Sequence, residues 1–138
     1  MRLELTRIEE PFVFSVENED GLKCTMDASE AIGGKKKGMR PMELLAASLA
    51  GCASIDITRM LVKKRIPTKH FSIAIEAKRS ENLPSPFEWI QLNVSVDPDI
   101  DREQVKKVVE LTLEKYCSVS ASLNKTISIR YSINDQSV

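Results

Sequence analysis

A chain of 138 residues, 42% hydrophobic and 29% charged, can close a core without disulfide or metal staples; a globular chain of this size buries roughly 68% of the surface its unfolded form exposes. Lys plus Arg and Asp plus Glu number 20 each, so net charge supplies no pull toward nucleic acid or an anionic membrane. No segment is biased enough in Pro, Gly or Ser to be read as disordered, and no internal repeat shows. The expectation is therefore one domain over residues 1–138.

The first segments alternate with period two. Leu3 and Leu5, then Phe12, Phe14 and Val16, then Leu22, Cys24 and Met26 fall on single faces, and a turn signal stands at Asn18–Gly21. These predict a small antiparallel sheet. Nothing in MRLELTRIEEPF forms the continuous apolar core of a signal peptide. Residues 28–40, with GGKKKGMR, read as a flexible polar loop in which Lys35 to Lys37 are solvated. They lack the GxxxxGK[ST] frame of a phosphate cradle.

From Pro41 to about Lys64 the pattern is helical. Pro suits the first turn, Lys63, Lys64 and Arg65 suit the last, and Pro67 stops the helix. The run LLAASLAGCASI, Leu44 to Ile55, carries no charge, which predicts burial nearly all round this long central helix, although the run is too short to cross a bilayer. Two strands follow, with Phe71, Ile73, Ile75 and Ala77 on one face of the first and Ile90, Leu92, Val94 and Val96 on one face of the second; SENLPSP links them. Asp101 and Gln104 form a capping box before a helix whose stripe is Val105, Val108, Val109, Thr112 and Tyr116, with Leu113 and Cys117 alongside. A last strand carries Ile127, Ile129, Tyr131 and Ile133. Three strands, a helix, two strands, a helix and a strand make an α+β fold.

Cysteine carries the functional signal. Three cysteines in a cytoplasmic chain argue for free thiols rather than a disulfide framework. Cys52 lies inside the apolar helix and Cys117 ends the second helix in EKYCSVSASL, far outside CxxC or zinc-knuckle spacing. Two distant thiols delivered by two helices suggest a redox pair. Cys24, on a strand face with Leu22 and Met26, reads as core filler. His70 has no Cys, Asp or Glu at ligand spacing, so no metal is expected, and no cofactor is called for. Asp56, one turn beyond Cys52, reads as a structural partner of an arginine. Glu81 and Glu88 read as exposed carboxylates without an acid–base role.

RPMELLAASLAGCASIDI and EKYCSVSASL resemble the two cysteine motifs of the OsmC/Ohr family, the osmotically inducible and organic hydroperoxide resistance proteins, and the element order matches over nearly the whole chain. The resemblance implies an OsmC-like fold that works as an intertwined homodimer with sites at the subunit interface. It implies that Cys52 is the peroxidatic thiol, that Cys117 resolves its sulfenic acid, that the substrate is an organic hydroperoxide, and that a dithiol reductant such as a lipoylated protein restores the thiols. No nucleic acid or membrane partner is implied.

The residues fit those roles in chemical terms. Attack on an O–O bond needs a thiolate, burial alone would raise the thiol pKa, and so a cation or hydrogen-bond donor must offset it. An adjacent thiol traps the sulfenic acid before further oxidation, and an apolar pocket favours alkyl hydroperoxides. Cys52, in a helix interior among small residues, reads as the enclosed attacking sulfur; Cys117, at a helix end, reads as the mobile one. Family peroxidases carry a Glu ten residues before the first cysteine, where this chain has Met42. Glu43 lies nine before, roughly 13.5 Å along a straight helix, so it can support the site only across a dimer interface. Arg40 and Arg79, with Arg2 and Arg7, are the candidate activating cations. The other class consistent with these residues is a non-enzymatic dimer that binds a small hydrophobic ligand or senses oxidation through the same thiols.

Overall fold

In a computed structural model that describes residues 1–137, the chain forms two compact units, residues 1–45 and the remainder from Ala46. The first contains an antiparallel sheet of three strands, β1 (Leu3–Glu9), β2 (Val13–Asn18) and β3 (Lys23–Met26), in that order. The β2–β3 turn closes as its sequence requires: the Asn18 side-chain oxygen accepts from the Asp20 and Leu22 N–H groups, and Gly21 takes φ +78°. The register sets Leu5 opposite Val16, Val16 opposite Cys24, and Phe14 opposite Met26. That apolar face is not covered. Leu3, Leu5, Leu22 and Cys24 are exposed, so Cys24 is not core filler; this unit's fully buried side chains among the described residues are Val13 and Asp27.

Residues 28–40 are more organised than a flexible loop. A short 3₁₀ turn (Glu30–Ile32) follows Asp27, whose carboxylate accepts from the N–H groups of Ala28, Lys35 and Lys37 at 2.7, 2.8 and 3.1 Å. Gly34 and Gly38 permit this wrapping, because a Cβ would lie 2.0 Å from the Ala28 oxygen in one case and 2.5 Å from the Thr25 oxygen in the other. The lysines are paired rather than solvated: Lys35 and Lys37 both hold Glu9, and Lys36 holds Glu30. Such exposed pairs are each worth at most ~1 kcal/mol, which leaves the buried Asp27 as the organiser.

The long helix, α1 (Pro41–Lys63), begins and ends where proline, lysine and arginine predict. Its burial differs from expectation. Ala46, Leu49, Ala50, Ala53, Ile57 and Leu61 form one buried stripe, whereas Ile55 and Val62 on the opposite side are 63% and 69% exposed. The run is uncharged all round, yet the chain covers only one face of it. By length and composition α1 could cross a membrane, but it places Asp56 and Arg59 within the span and buries its stripe in the manner of a core helix.

In the second unit, β4 (Phe71–Arg79) pairs antiparallel with β5 (Phe87–Val96), which pairs parallel with β6 (Ser128–Ile133); β7 (Gln136–Ser137), absent from the sequence reading, pairs antiparallel with β6. The parallel pairing requires a crossover. It runs through α2 (Arg102–Leu111), a π-helical turn (Thr112–Tyr116) and α3 (Ser118–Ser122). Ile90, Leu92 and Val94 of β5 and Val105, Val108 and Val109 of α2 are fully buried. Asp101 caps α2 by accepting from the Glu103 N–H, and Gln104 bonds the Asp101 carboxylate instead of returning to its backbone, so only half of the predicted capping box forms. The Tyr131 hydroxyl donates to Glu110 at 2.8 Å and ties β6 to α2.

Asp27 gives the first prediction. Burial pushes its carboxyl up, but the three backbone donors outweigh burial and hold it below the usual carboxylate range. Stability from a depressed carboxyl is complete above about pH 4 and is lost as pH falls through the folded value. Amide exchange at Lys35 and Lys37 is therefore expected to quicken below that range in the wild type, and on the order of tenfold at neutral pH in Asp27→Ala. Unchanged exchange in the variant would contradict the role.

Candidate active site

Cys52 stands in the middle of α1, on the flank of the buried stripe, and is half-buried; Cys117 is 3% exposed. The enclosure is the reverse of what the sequence suggests, and the π-helical turn is the reason. A continued α-helix would set Tyr116 in the stripe with Val109 and Thr112. Instead the Cys117 N–H reaches back five residues to the Thr112 carbonyl at 2.8 Å, which adds a residue to the turn. Tyr116 is consequently 56% exposed while Thr112 and Cys117 are buried. Insertions of this kind recur where a helix must re-aim a side chain.

Beyond the turn the chain restarts as α3 with Cys117 as its N-cap. The Cys117 Sγ accepts from the Ser120 N–H at 3.4 Å, the N-cap to N3 contact that Ser or Asp usually makes. Ser120 is a supporting residue that the sequence reading passed over; the signal was a cysteine directly before the short polar helix SVSAS.

The Cys52 sulfur is among the groups that act on the buried Cys117 thiol. Burial raises the Cys117 pKa first. The Ser120 N–H works against that, and the Cys52 sulfur adds to it, both as a hydrogen-bond acceptor and by its charge when ionised. A pair so placed holds one negative charge more readily than two.

The other sequence candidates are occupied elsewhere. Glu43 and Arg40 serve the N-terminus of α1: the Glu43 carboxylate accepts from the Arg40 N–H at 2.8 Å and lies 3.0 Å from its guanidinium, the return arm of a capping box. The Arg79 Nε donates to the Ser85 carbonyl at 2.8 Å and closes the β4–β5 loop. Arg7 pairs with Glu10. Arg59, not singled out in the sequence, lies 4.0 Å from Asp56 with its side chain 69% exposed. It lines, with Ser54, Ile55, Thr58, Val62 and Lys63, an open apolar groove of about 600 Å³ along the uncovered side of α1.

Known proteins share this sequence pattern and fold. A profile of the OsmC-like protein family matches residues 33–132, which include both cysteines. Protein YhfA of Escherichia coli is 31% identical over 124 residues, covering 89% of this chain and 90% of its own length. A solved structure of a hypothetical protein from Aquifex aeolicus superposes with a TM-score of 0.79 at 29% identity, over 96% of this chain and 94% of that one. A structure described as an organic hydroperoxide resistance protein OsmC, from Legionella pneumophila, superposes with a TM-score of 0.74 at 19% identity, over 96% and 94% of the two chains; at that identity it shows the shared fold.

The thiol geometry predicts a directional shift. In Cys52→Ser both contributions from the Cys52 sulfur vanish while burial remains, so Cys117 should ionise at lower pH than in the wild type. Thiolate absorbance near 240 nm during a pH titration reads this out. A Cys117 titration that stays put or moves up would contradict the action of the Cys52 sulfur on Cys117.

Proposed function

We propose, on the premise that this chain belongs to the OsmC-like protein family, that it is a thiol-dependent peroxidase reducing organic hydroperoxides in the cytoplasm as part of oxidative-stress defence. The observation that supports the reading is a half-buried cysteine on α1 together with a second, buried cysteine at the π-helical turn, both free. Cys52, as thiolate, attacks the terminal peroxide oxygen; the O–O bond breaks, the alcohol leaves with a proton, and Cys52 becomes a sulfenic acid. Cys117 attacks that sulfur, water departs, and a disulfide remains. A dithiol reductant of the lipoyl class then returns both sulfurs to thiols. Ile55, exposed one turn from Cys52, gives an alkyl tail an apolar surface, which supports organic hydroperoxides over hydrogen peroxide.

The working form in this reading is a homodimer. Leu3, Leu5 and Leu22 on the N-terminal sheet and Ile55 and Val62 on α1 stand exposed, contiguous exposed apolar surface marks an interaction site, and a second copy of the chain would cover both. Static light scattering at micromolar concentration should give twice 15.5 kDa, about 31 kDa, with an interface in the obligate range above ~2,000 Å². A 15.5 kDa species would count against it.

A stoichiometric sensor or ligand-binding dimer is the second reading, favoured by Met42 standing where family peroxidases carry Glu and by Glu43 being engaged in helix capping. Cumene hydroperoxide with dihydrolipoamide separates the two. The peroxidase consumes many equivalents, a sensor one, a binder none. Cys52→Ser is expected to lose all reaction, at least ~10³-fold given that the nucleophile is removed. Cys117→Ser should react once and accumulate sulfenic, then sulfinic, acid at Cys52. An oxygen adduct confined to the Cys52→Ser protein would reverse the two roles.

A further inference from the structure

Between the two places where α1 bears on the residue 112–117 segment there is a carboxylate that the thiol chemistry above does not use. Cys52, Asp56 and Met60 follow one another at i, i+4 and i+8 and are all half-buried, a single ridge along the helix. At one end of the ridge stands Cys52, whose sulfur acts on the buried Cys117 thiol. At the other, the Thr112 hydroxyl lies 4.0 Å from the Met60 sulfur. Asp56 is midway, its side chain 21% exposed. Asp56 shares a helix face with Cys52, one turn away, at the spacing where Cβ atoms stand about 5–6 Å apart. Arg59, at 4.0 Å and largely solvated, is a loose partner. The titratable groups on the opposed segment are Cys117, buried, and Glu114, Lys115 and Tyr116, all exposed.

We propose that Asp56 carries the proton in the resolving step. The proposal rests on the peroxidase or sensor chemistry assigned to Cys52 and Cys117. That step needs proton traffic: Cys117, enclosed and held protonated, must lose a proton as its sulfur attacks, and the oxygen on Cys52 must gain one to leave as water. The Asp56 carboxylate takes the proton from the Cys117 thiol, the S–S bond forms as the S–O bond breaks, and the resulting carboxylic acid gives its proton to the departing hydroxide. Atoms and charge balance without a further reactant: sulfenic acid plus thiol gives disulfide plus water, and Asp56 ends as it began. Oxidation lengthens the Cys52 side chain by one oxygen, the atom that leaves in this second step. Placement one turn away therefore suits the second step and leaves the first, in which the alcohol leaves from the peroxide side, independent of Asp56.

The full-length protein, its Asp56→Asn and Asp56→Glu variants and Cys117→Ser are mixed with one equivalent of cumene hydroperoxide, and quenched samples are read by intact mass with and without a sulfenic acid trap. Positioned acid–base groups contribute about 10²–10⁴-fold. Asp56→Asn is expected to form sulfenic acid within about twofold of the wild-type rate but the disulfide at least ~10-fold more slowly, with trappable sulfenic acid accumulating. The wild-type resolving rate should rise with pH less steeply than that of the Asn variant between about pH 6 and 8, because a positioned base takes the proton in place of hydroxide. The Asn variant should gain about tenfold per pH unit as hydroxide takes over, and Asp56→Glu should recover most of the rate. Disulfide formation in Asp56→Asn at the wild-type rate overturns the proposal, as does slower formation with an unchanged pH profile, the mark of a purely structural residue. Absence of sulfenic acid in the wild type and in Cys117→Ser alike would overturn the peroxide chemistry itself and this proposal with it, a result distinct from the other two.

Discussion

The hydrogen bond from the Cys117 N–H to the Thr112 carbonyl is the constraint on which the site depends. Spanning five residues instead of four, it ends α2 with one residue too many for the α-helical stripe, expels Tyr116, and turns Cys117 inward against α1. The turn carries an energetic penalty in helix geometry that must be offset locally. Burial of Thr112 and the Ser120 N–H on the Cys117 sulfur are the compensations present. With the turn in place, burial and the Cys52 sulfur push the Cys117 thiol up, while Cys52 stays the more accessible of the two thiols.

The two units are held by different physics. From Ala46 onward, apolar burial dominates: the α1 stripe, the inner face of β5 and the valines of α2 are sealed from solvent. Residues 1–45 have little apolar interior of their own and are organised by polar wrapping about Asp27, with glycines at the two positions where backbone approaches backbone too closely for a Cβ. That contrast, an ordered loop beside an uncovered apolar sheet face, is the physical ground for proposing a second copy of the chain as its cover.

Much of the architecture was legible because it depends on period and punctuation. Alternation locates β1 to β6, Pro41 and Pro67 bracket α1, and the two cysteine motifs fall on α1 and at the end of the π-helical turn. What was not legible depends on register and on partners. Nothing in ELTLEKYCS distinguishes a π-helical turn from a continued α-helix, so Tyr116 was placed in the stripe and Cys117 beside it. Composition marks α1 as apolar but not which side a single subunit covers, and so full burial was overstated and Cys24 was placed in a core. Asp27 was passed over because a lone carboxylate before a glycine-rich loop reads as polar surface until its three donors are in place. Arg40, Glu43 and Arg79 were read for chemistry, whereas each makes a local structural bond that a capping or loop signature would equally have explained.

The most direct test of the central claim, that Cys52 and Cys117 are a working redox couple built by the π-helical turn, is non-reducing peptide mapping after treatment with one equivalent of organic hydroperoxide. The account predicts a single bridge between the Cys52 and Cys117 peptides of one chain, with Cys24 recovered as free thiol. A bridge that includes Cys24, or oxidation of Cys52 without any bridge to Cys117, would contradict it.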